Sequence, residues 1–326
     1  MSASEQIVMI LREAHATEVS SQVICERLRI SRAAVWKQIE QLRAKGYVIE
    51  ACSRRGYRLI SAPERAYATE ILPRLTTQRM GRNCRYVENT DSTNHDVARL
   101  AMDGMAEGLM VVAEQQGAGK GRMARVWFSP PEVNLYFSLL LRPAVELSRA
   151  ASLPLLMGLA VAEALSGLAP EIQPEVKWPN DILLKGRKLC GILCEMHVET
   201  DRVGAIIAGV GVNVNLTEEM LPDELRKRAT SLRIATGSVF ARAQVLSAII
   251  NCFEPYYDQW RLEGFAPFVQ LLAERDALYG KQVTLEQGGR RLTGKMQGVQ
   301  ADGALLLATA QGLECVYSGE AHICGQ

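Results

Sequence analysis

Two apolar runs joined by a long, glycine-rich, cationic loop constrain this chain more than any other feature. The runs are GLMVVAE at 108–114 and NLYFSLLLRP at 134–143, and each has the length and composition of a strand. Between them, EQQGAGKGRMARVWFSP at 114–130 carries three glycines and three cationic side chains beside a tryptophan and a phenylalanine. The pattern predicts strand, long loop, strand.

This order excludes two common nucleotide-binding loops. GKGRMA matches the G-x-G-x-x-G/A fingerprint of dinucleotide-binding folds, but that turn should open a helix. Here residues 127–131 (WFSPP) would prevent such a helix, and a second strand follows. A Walker A loop fails as well, because Glu114 and Gly121 stand where it requires Gly and Ser or Thr.

The loop is nevertheless suited to an anion. Lys120, Arg122 and Arg125 can surround one, and the glycines allow close approach to backbone N–H groups. Trp127 can then lie against an adenine ring. The alternative is an exposed, solvated loop with no ligand.

The amino end predicts a winged helix-turn-helix. Residues 1–62 hold ten Lys/Arg against six Asp/Glu, a net charge of +4, while the remaining residues hold 27 against 30, a net of −3. A helix capped by Ser31 has an apolar stripe, and two strand-like runs follow around a basic turn. The residues expected to face DNA are Ser31, Arg32, Ala33, Trp36 and Lys37 on the helix and Arg54 and Arg55 on the turn. The alternative is a small helical module for protein contacts.

Composition and cysteine spacing narrow the class of protein. The content of 48% hydrophobic and 22% charged residues is typical of a globular rather than a disordered chain. The amino-terminal residues fit neither a signal peptide nor a membrane helix. Eight cysteines without a repeated short spacing predict reduced thiols and a cytoplasmic location. In a strand, Cys190 and Cys194 would share one face while His197 points to the other, so we expect buried thiols and no metal site.

Two further stretches carry polar residues at turns. DSTN at 91–94 stands at a strand-to-helix turn, where hydroxyls commonly cap the helix. In VKWPND, Lys177 ends a strand beside a tight turn, so it is either a surface charge or a lysine held towards a phosphate. SAPERAYATE at 61–70, with its proline and polar run, predicts a domain boundary.

Together these motifs resemble, across essentially the whole chain, the bifunctional biotin protein ligases that are also biotin operon repressors. The motifs stand in family order: DSTN at 91–94, EQQGAGKGRMARVWFSP at 114–130, VKWPNDILLKGRKLCGILCE at 176–195 and GVGVNVN at 209–215. The helix SRAAVWKQIEQLRAKGY and the run RRGYRL are similar to that family's winged helix.

The resemblance implies an α+β multidomain fold in three parts. A winged helix-turn-helix would occupy residues 1–62, and a class II synthetase-like α/β catalytic domain with a mixed sheet residues 66–275. An SH3-like β barrel would occupy residues 276–326, where strand-like runs alternate with glycines.

The implied reaction has two halves that use ATP, Mg²⁺ and biotin. Biotin's carboxylate attacks the α-phosphate of ATP to give biotinyl-5′-AMP, and a lysine of a biotin carboxyl carrier protein then takes the biotin. By motif position, the residues that would bind biotin are Ser92, Thr93, Asn94, Gln116, Gly119, Lys120, Gly121, Arg122 and Lys177. Those that would bind the adenylate are Arg122, Arg125, Trp127, Lys177 and Asn213, with Lys177 and Arg122 as the catalytic pair.

The loop departs from the family pattern G-R-G-R-x-G-R at two positions. Lys120 replaces a planar, bidentate arginine, and Ala124 replaces a glycine that can adopt positive φ. The chemistry is expected to survive these changes, whereas ordering of the loop by a ligand can differ.

The family also implies regulation, in which biotinyl-AMP favours a homodimer that binds paired operator half-sites in DNA. Two other interpretations remain open. One is a ligase whose winged helix reads no operator, and the other is a transcription factor that senses a carboxylate without transferring it. A lipoate ligase would not be expected to combine this winged helix with KWPND and the GKGR loop.

Overall fold

A computed structural model describes residues 2–53, 55–199, 202–287 and 289–324. Contacts divide the chain into two compact units, residues 1–73 and 74–326, which are described separately. Arg54, one of the predicted DNA-binding residues, lies outside the described residues.

The first unit is the predicted winged helix-turn-helix. Its elements are α1 (Ala3–Glu13), α2 (Ser21–Leu28), α3 (Arg32–Ala44), β1 (Val48–Cys52), β2 (Gly56–Ser61) and α4 (Ala68–Ile71). Ser20 caps α2 and Ser31 caps α3, each accepting a hydrogen bond from a backbone N–H three residues on. Ile7, Ile24 and Ile39 are buried where the first three helices meet, and Ile39 belongs to the apolar stripe predicted for α3.

Helix α4 packs within this first unit. The Tyr47 hydroxyl lies 2.6 Å from Thr69 Oγ1 and donates to Glu70 Oε1 at 3.2 Å, and Arg12 forms an ion pair with Glu70. Burial of the phenol raises the pKa of Tyr47. The polar run that the sequence placed between domains therefore leads into a segment bound to the winged unit.

The second unit is built on a seven-stranded mixed sheet. Its strands are β3 (Asn83–Thr90), β4 (Leu109–Gln116), β5 (Leu135–Leu141), β6 (Glu175–Lys177), β7 (Asp181–Leu184), β8 (Arg187–Glu199) and β9 (Arg202–Val212). Their order is β3-β4-β5-β9-β8-β7-β6, with β3 and β4 parallel and every other pair antiparallel. Strands β4 and β5 are buried along most or all of their length, which explains why both read as continuous apolar runs.

Helices pack on this sheet and connect its strands. They are α5 (Thr93–Met102), α6 (Leu147–Ala150), α7 (Leu153–Leu168), α8 (Asp223–Arg226), α9 (Leu232–Thr236), α10 (Arg242–Glu263) and α11 (Val269–Ala273). By length and composition alone, the helical stretch Leu147–Leu168 could cross a membrane, but 67% of its most apolar window is buried inside the protein. It is the core helix between the sheet and α10.

A five-stranded antiparallel sheet closes the chain, as the alternating runs predicted. Its strands are β10 (Gln282–Gln287), β11 (Arg290–Val299), β12 (Leu305–Thr309), β13 (Gly312–Val316) and β14 (Glu320–Ile323), in the order β13-β12-β11-β10-β14. It is joined to the larger sheet near Lys177. The Val176 N–H donates to the Arg275 carbonyl, and the Trp178 indole donates to the Gly303 carbonyl at 3.1 Å.

Candidate functional site

A buried polar cluster lies where α5 begins against β4 and β5. The backbone N–H of Thr93 donates to Gln116 Oε1 at 2.9 Å, and the Thr93 hydroxyl lies 3.2 Å from the same oxygen. Ser138 Oγ, on β5, lies 2.6 Å from both Thr93 Oγ1 and Asn94 Oδ1. Three of the residues predicted to bind biotin, Thr93, Asn94 and Gln116, are therefore brought together and held in fixed orientations.

Strands β8 and β9 hold Asn94 from the other side. The Asn94 amide donates to the carboxylate of Glu195 and to the Leu193 carbonyl. A β-carbon at Gly209 would lie 2.2 Å from Asn94 Oδ1, so only glycine allows this approach. The GVGVNVN motif thus supplies a strand that another side chain can approach closely.

Two more glycines form a flat floor beneath Trp127. A β-carbon at Gly211 would lie 2.5 Å from the indole ring, and one at Gly191 would lie 2.8 Å from it. Lys188 Nζ lies 5.3 Å from the centre of the same ring. The indole N–H, although buried, has no hydrogen-bond partner among the described residues. Trp127, predicted to stack on adenine, therefore stands beside a cation on a surface made of backbone.

The cationic loop is ordered by its own backbone. The Gly121 N–H donates to the Arg125 carbonyl at 2.7 Å, and the Trp127 N–H donates to the Gly119 carbonyl at 2.8 Å. Met123 and Ala124 both adopt left-handed backbone, at φ values of 55° and 57°. Ala124 therefore takes the conformation that glycine favours, at a cost of about 1 kcal/mol.

Cations from the loop reach the C-terminal sheet and its neighbours. Arg122 is half-buried and donates to the Gly319 carbonyl at 3.1 Å and to Asn180 Oδ1 at 3.4 Å. Arg125 forms an ion pair with Glu320. Lys120 turns the other way, with its Nζ 3.5 Å from His95 Nε2. The three predicted cations are thus held at different points around the loop.

Lys177 lies beside this loop in a partly dry environment. Burial lowers its pKa, and the nearby charges of Asp181 and Glu320 oppose that effect. Burial likewise lowers the pKa of Arg122. Lys188 Nζ lies 2.7 Å from Asp181 Oδ1, in ion-pair contact rather than an aligned hydrogen bond. Partly desolvated cations of this kind interact strongly with an anion.

Asn213, a predicted site residue, uses its side-chain amide for hydrogen bonds within the protein. Its amide donates to the Thr230 carbonyl at 2.9 Å, and its Oδ1 accepts from Asn134 at 3.2 Å. Ser92 is buried ahead of α5 but makes no side-chain cap. In this conformation Asn213 shapes the wall of the site and is not free to hydrogen bond a base.

Sequence reasoning missed three residues of the site. Ser138 is the one serine in the apolar run LYFSLLL, and it is buried. A buried polar group needs a hydrogen-bond partner, so its position could have been recognised from the sequence. Lys188 lies within the motif VKWPNDILLKGRKLCGILCE without a distinguishing neighbour, and Glu320 carries no local signal. Among the described residues no three His, Cys, Asp or Glu side chains are grouped to hold a metal ion. All eight cysteines are free thiols.

The predicted DNA-binding residues lie on the first unit. Arg32, Ala33, Trp36 and Lys37 are exposed at the amino-terminal end of α3. Arg55 forms an ion pair with Glu18 at 3.2 Å, so this wing residue is partly neutralised.

Comparison with known families matches each part of the chain. The Biotin/lipoate A/B protein ligase family matches residues 86–213, which include the polar cluster, the loop and Lys177. An HTH domain matches residues 4–58, and the Biotin protein ligase C terminal domain matches residues 278–322.

Individual relatives match nearly the full length. The bifunctional ligase/repressor BirA of Bacillus spizizenii and that of Bacillus subtilis are each 40% identical to this chain over 98% of both chains. Among solved structures, biotin protein ligase from Aquifex aeolicus in complex with biotin and ATP is 33% identical. It covers 74% of this chain and 97% of its own, with a TM-score of 0.64.

Proposed function

Because the chain belongs to the bifunctional biotin protein ligases, we propose that it activates biotin with ATP, transfers it to a carrier protein and represses transcription. The observation that supports this most is that Lys188 lies over Trp127 and pairs with Asp181, whose charge also acts on Lys177 and Arg122. We propose the winged helix for 1–62, the catalytic domain for 66–275 and the C-terminal barrel for 276–326, although residues 66–73 pack with the first unit.

In the first half-reaction a biotin carboxylate oxygen attacks the α-phosphorus of ATP, and pyrophosphate leaves. Negative charge accumulates on phosphate oxygens, so cations assist this step more than an enzyme nucleophile would. Lys177 and Arg122 carry that role, because both are partly desolvated, Arg122 in the loop and Lys177 beside it. Trp127 and Asn213 form the adenine side of the site, and Arg125 reaches the phosphate by exchanging its contact with Glu320.

Mg²⁺ enters with ATP as part of that substrate. Asp181 fits such an ion, since carboxylate oxygen is a ligand that Mg²⁺ prefers and this carboxylate lies in the same cluster as Lys188. When bound, the ion supplies positive charge to the phosphates.

Biotin itself would bind to the buried polar cluster. Thr93, Asn94 and Gln116 present oriented amide and hydroxyl groups to a ring with its own donor and acceptor atoms. The remaining contacts come from Ser92, Gly119, Lys120 and Gly121 at the rim and in the loop. In the second half-reaction a carrier lysine attacks the activated carbonyl, the amide forms and AMP leaves.

Repression uses the first unit. Biotinyl-AMP bound in the site would order the loop and favour a homodimer, whose paired α3 helices meet two operator half-sites. A carrier domain competes for the same protein, so biotin demand lowers repression. The free thiols are consistent with a cytoplasmic location, which we also propose.

The test is to incubate the purified protein with biotin, ATP and Mg²⁺, with and without a biotin carboxyl carrier domain. Intact mass spectrometry and analysis of bound small molecules follow the products. We expect biotinyl-AMP alone, then a carrier heavier by one biotin. Folded protein that forms neither product would exclude the ligase and leave the carboxylate-sensing transcription factor.

A further inference from the structure

Helix α3 carries an exposed tryptophan at the end expected to face DNA. Trp36 is 60% exposed, whereas Trp178 and Trp260 are buried in the second unit. One exposed aromatic ring is common on protein surfaces, so its surroundings decide whether it has a partner.

The charges around Trp36 differ from those of most arginines in the first unit. Five arginines there are ion-paired: Arg12 with Glu70, Arg27 with Glu13, Arg43 with Glu40, Arg55 with Glu18 and Arg58 with Glu50. Within the described parts of the chain, Arg32 and Lys37 have no such partner. Unpaired positive charge therefore flanks Trp36, which fits a polyanion as the partner.

The orientation of α3 also suits placement of the Trp36 ring in a DNA groove. Val35, Ile39 and Leu42 are buried and fix the orientation of α3. Ala33, one turn before Trp36, is exposed and short, so the backbone can approach a surface closely there. A recognition helix places these amino-terminal turns against base edges in the major groove.

The chemistry of indole determines which groups of a base pair the Trp36 ring can recognise. Indole has apolar faces and one N–H donor, and it has no acceptor. In the major groove the apolar feature of a base pair is the thymine C5-methyl group. We propose that Trp36 reads thymine methyl groups in each operator half-site, while Arg32 and Lys37 bind the flanking phosphates. This inference rests on the proposed repressor function.

The test begins by selecting duplexes from a random library with the full chain, biotin, ATP and Mg²⁺. Each thymine of the selected duplex is then replaced by uracil, which removes only the methyl group. We expect one or two positions per half-site at which uracil weakens binding about fourfold. That sensitivity should disappear in Trp36→Ala and be partly kept in Trp36→Phe. Lys37→Ala should weaken binding to all sequences alike and lower the salt dependence.

Controls separate the possible failures. Leu262→Ala removes another exposed apolar side chain, in the second unit, and should leave uracil sensitivity unchanged. Circular dichroism and thermal unfolding check that each variant is folded. If the library yields no bound duplex, the repressor function is wrong and this inference is wrong with it. If native protein binds but uracil has no effect, or the same effect in Trp36→Ala, only the role of Trp36 is overturned.

Discussion

Arg125 donates two hydrogen bonds from its guanidinium to the carboxylate of Glu320, and so attaches the catalytic loop to the last strand of the C-terminal sheet. Burial by itself would raise the pKa of Glu320, but the hydrogen bonds and charge of Arg125 outweigh it and lower that pKa. The same contact raises the pKa of Arg125. The C-terminal sheet is therefore part of the apparatus that positions the loop.

Glu320→Gln should free the loop without unfolding the protein. A pair of this exposure contributes at most about 1 kcal/mol to stability, so we expect a small change in Tm but faster tryptic cleavage after Arg122 and Arg125. The matched control is Glu314→Gln, which breaks an ion pair with Arg290 in the same sheet. The side chains of that pair are 64% and 25% exposed, against 64% and 22% for Arg125 and Glu320. Equal cleavage of both variants would contradict the attachment.

Gly209→Ala should impair biotin binding through Asn94. The added methyl group would lie 2.2 Å from Asn94 Oδ1 and would push the amide out of its hydrogen bonds. We expect biotin affinity, measured by isothermal titration calorimetry, to fall about 10- to 100-fold, as for overpacking of a tight site. Gly167→Ala, where a β-carbon meets open space, is the control and should bind normally. Unchanged affinity in Gly209→Ala would argue against Asn94 as a biotin ligand.

Lys177→Gln should slow formation of the adenylate. Removing one oriented charge from the developing phosphate is expected to reduce the rate of pyrophosphate release about 100- to 1000-fold. Because burial already disfavours the charged lysine, folding stability should not fall in parallel. Lys185→Gln, at an exposed turn nearby, should retain the native rate. A Lys177→Gln variant as fast as Lys185→Gln would exclude the assigned role.

Asp276, which precedes the C-terminal sheet, should make the free energy of unfolding depend on pH. Burial raises its pKa to about 6, although its carboxylate accepts the Leu278 N–H at 2.8 Å. Since the folded protein holds the proton more tightly than the unfolded chain, this stabilisation is present below about pH 4 and lost as pH rises through 6. The change is about 2 kcal/mol after solvent screening.

Denaturant unfolding between pH 4 and 7 measures this effect. Asp276→Asn cannot titrate and should flatten the profile of unfolding free energy relative to the native protein. A profile identical to native would show that another group is responsible.

The winged unit could be predicted almost completely from the sequence. Ser31 is the cap predicted for α3, and the buried residues Val35, Ile39 and Leu42 recur at helical spacing. The cationic loop and its two flanking strands were likewise recognisable, because periodicity and glycine content are local properties.

The site was predicted only where its residues belong to contiguous motifs. Thr93, Asn94 and Gln116 meet as the motifs implied. Asn213, by contrast, donates to the Thr230 carbonyl and accepts from Asn134, and no motif indicates these hydrogen bonds. The roles of these residues in binding stay predictions until the variants are measured.

The order of domains, the helix caps and the strand-loop-strand element can be predicted from local sequence, because each depends on interactions between near neighbours in the chain. The contacts of Ser138 with Asn94 and of Glu320 with Arg125, 195 residues away, become visible only in the folded chain. Such contacts depend on strand order in the two sheets, which brings distant segments together. No local pattern of residues records that order.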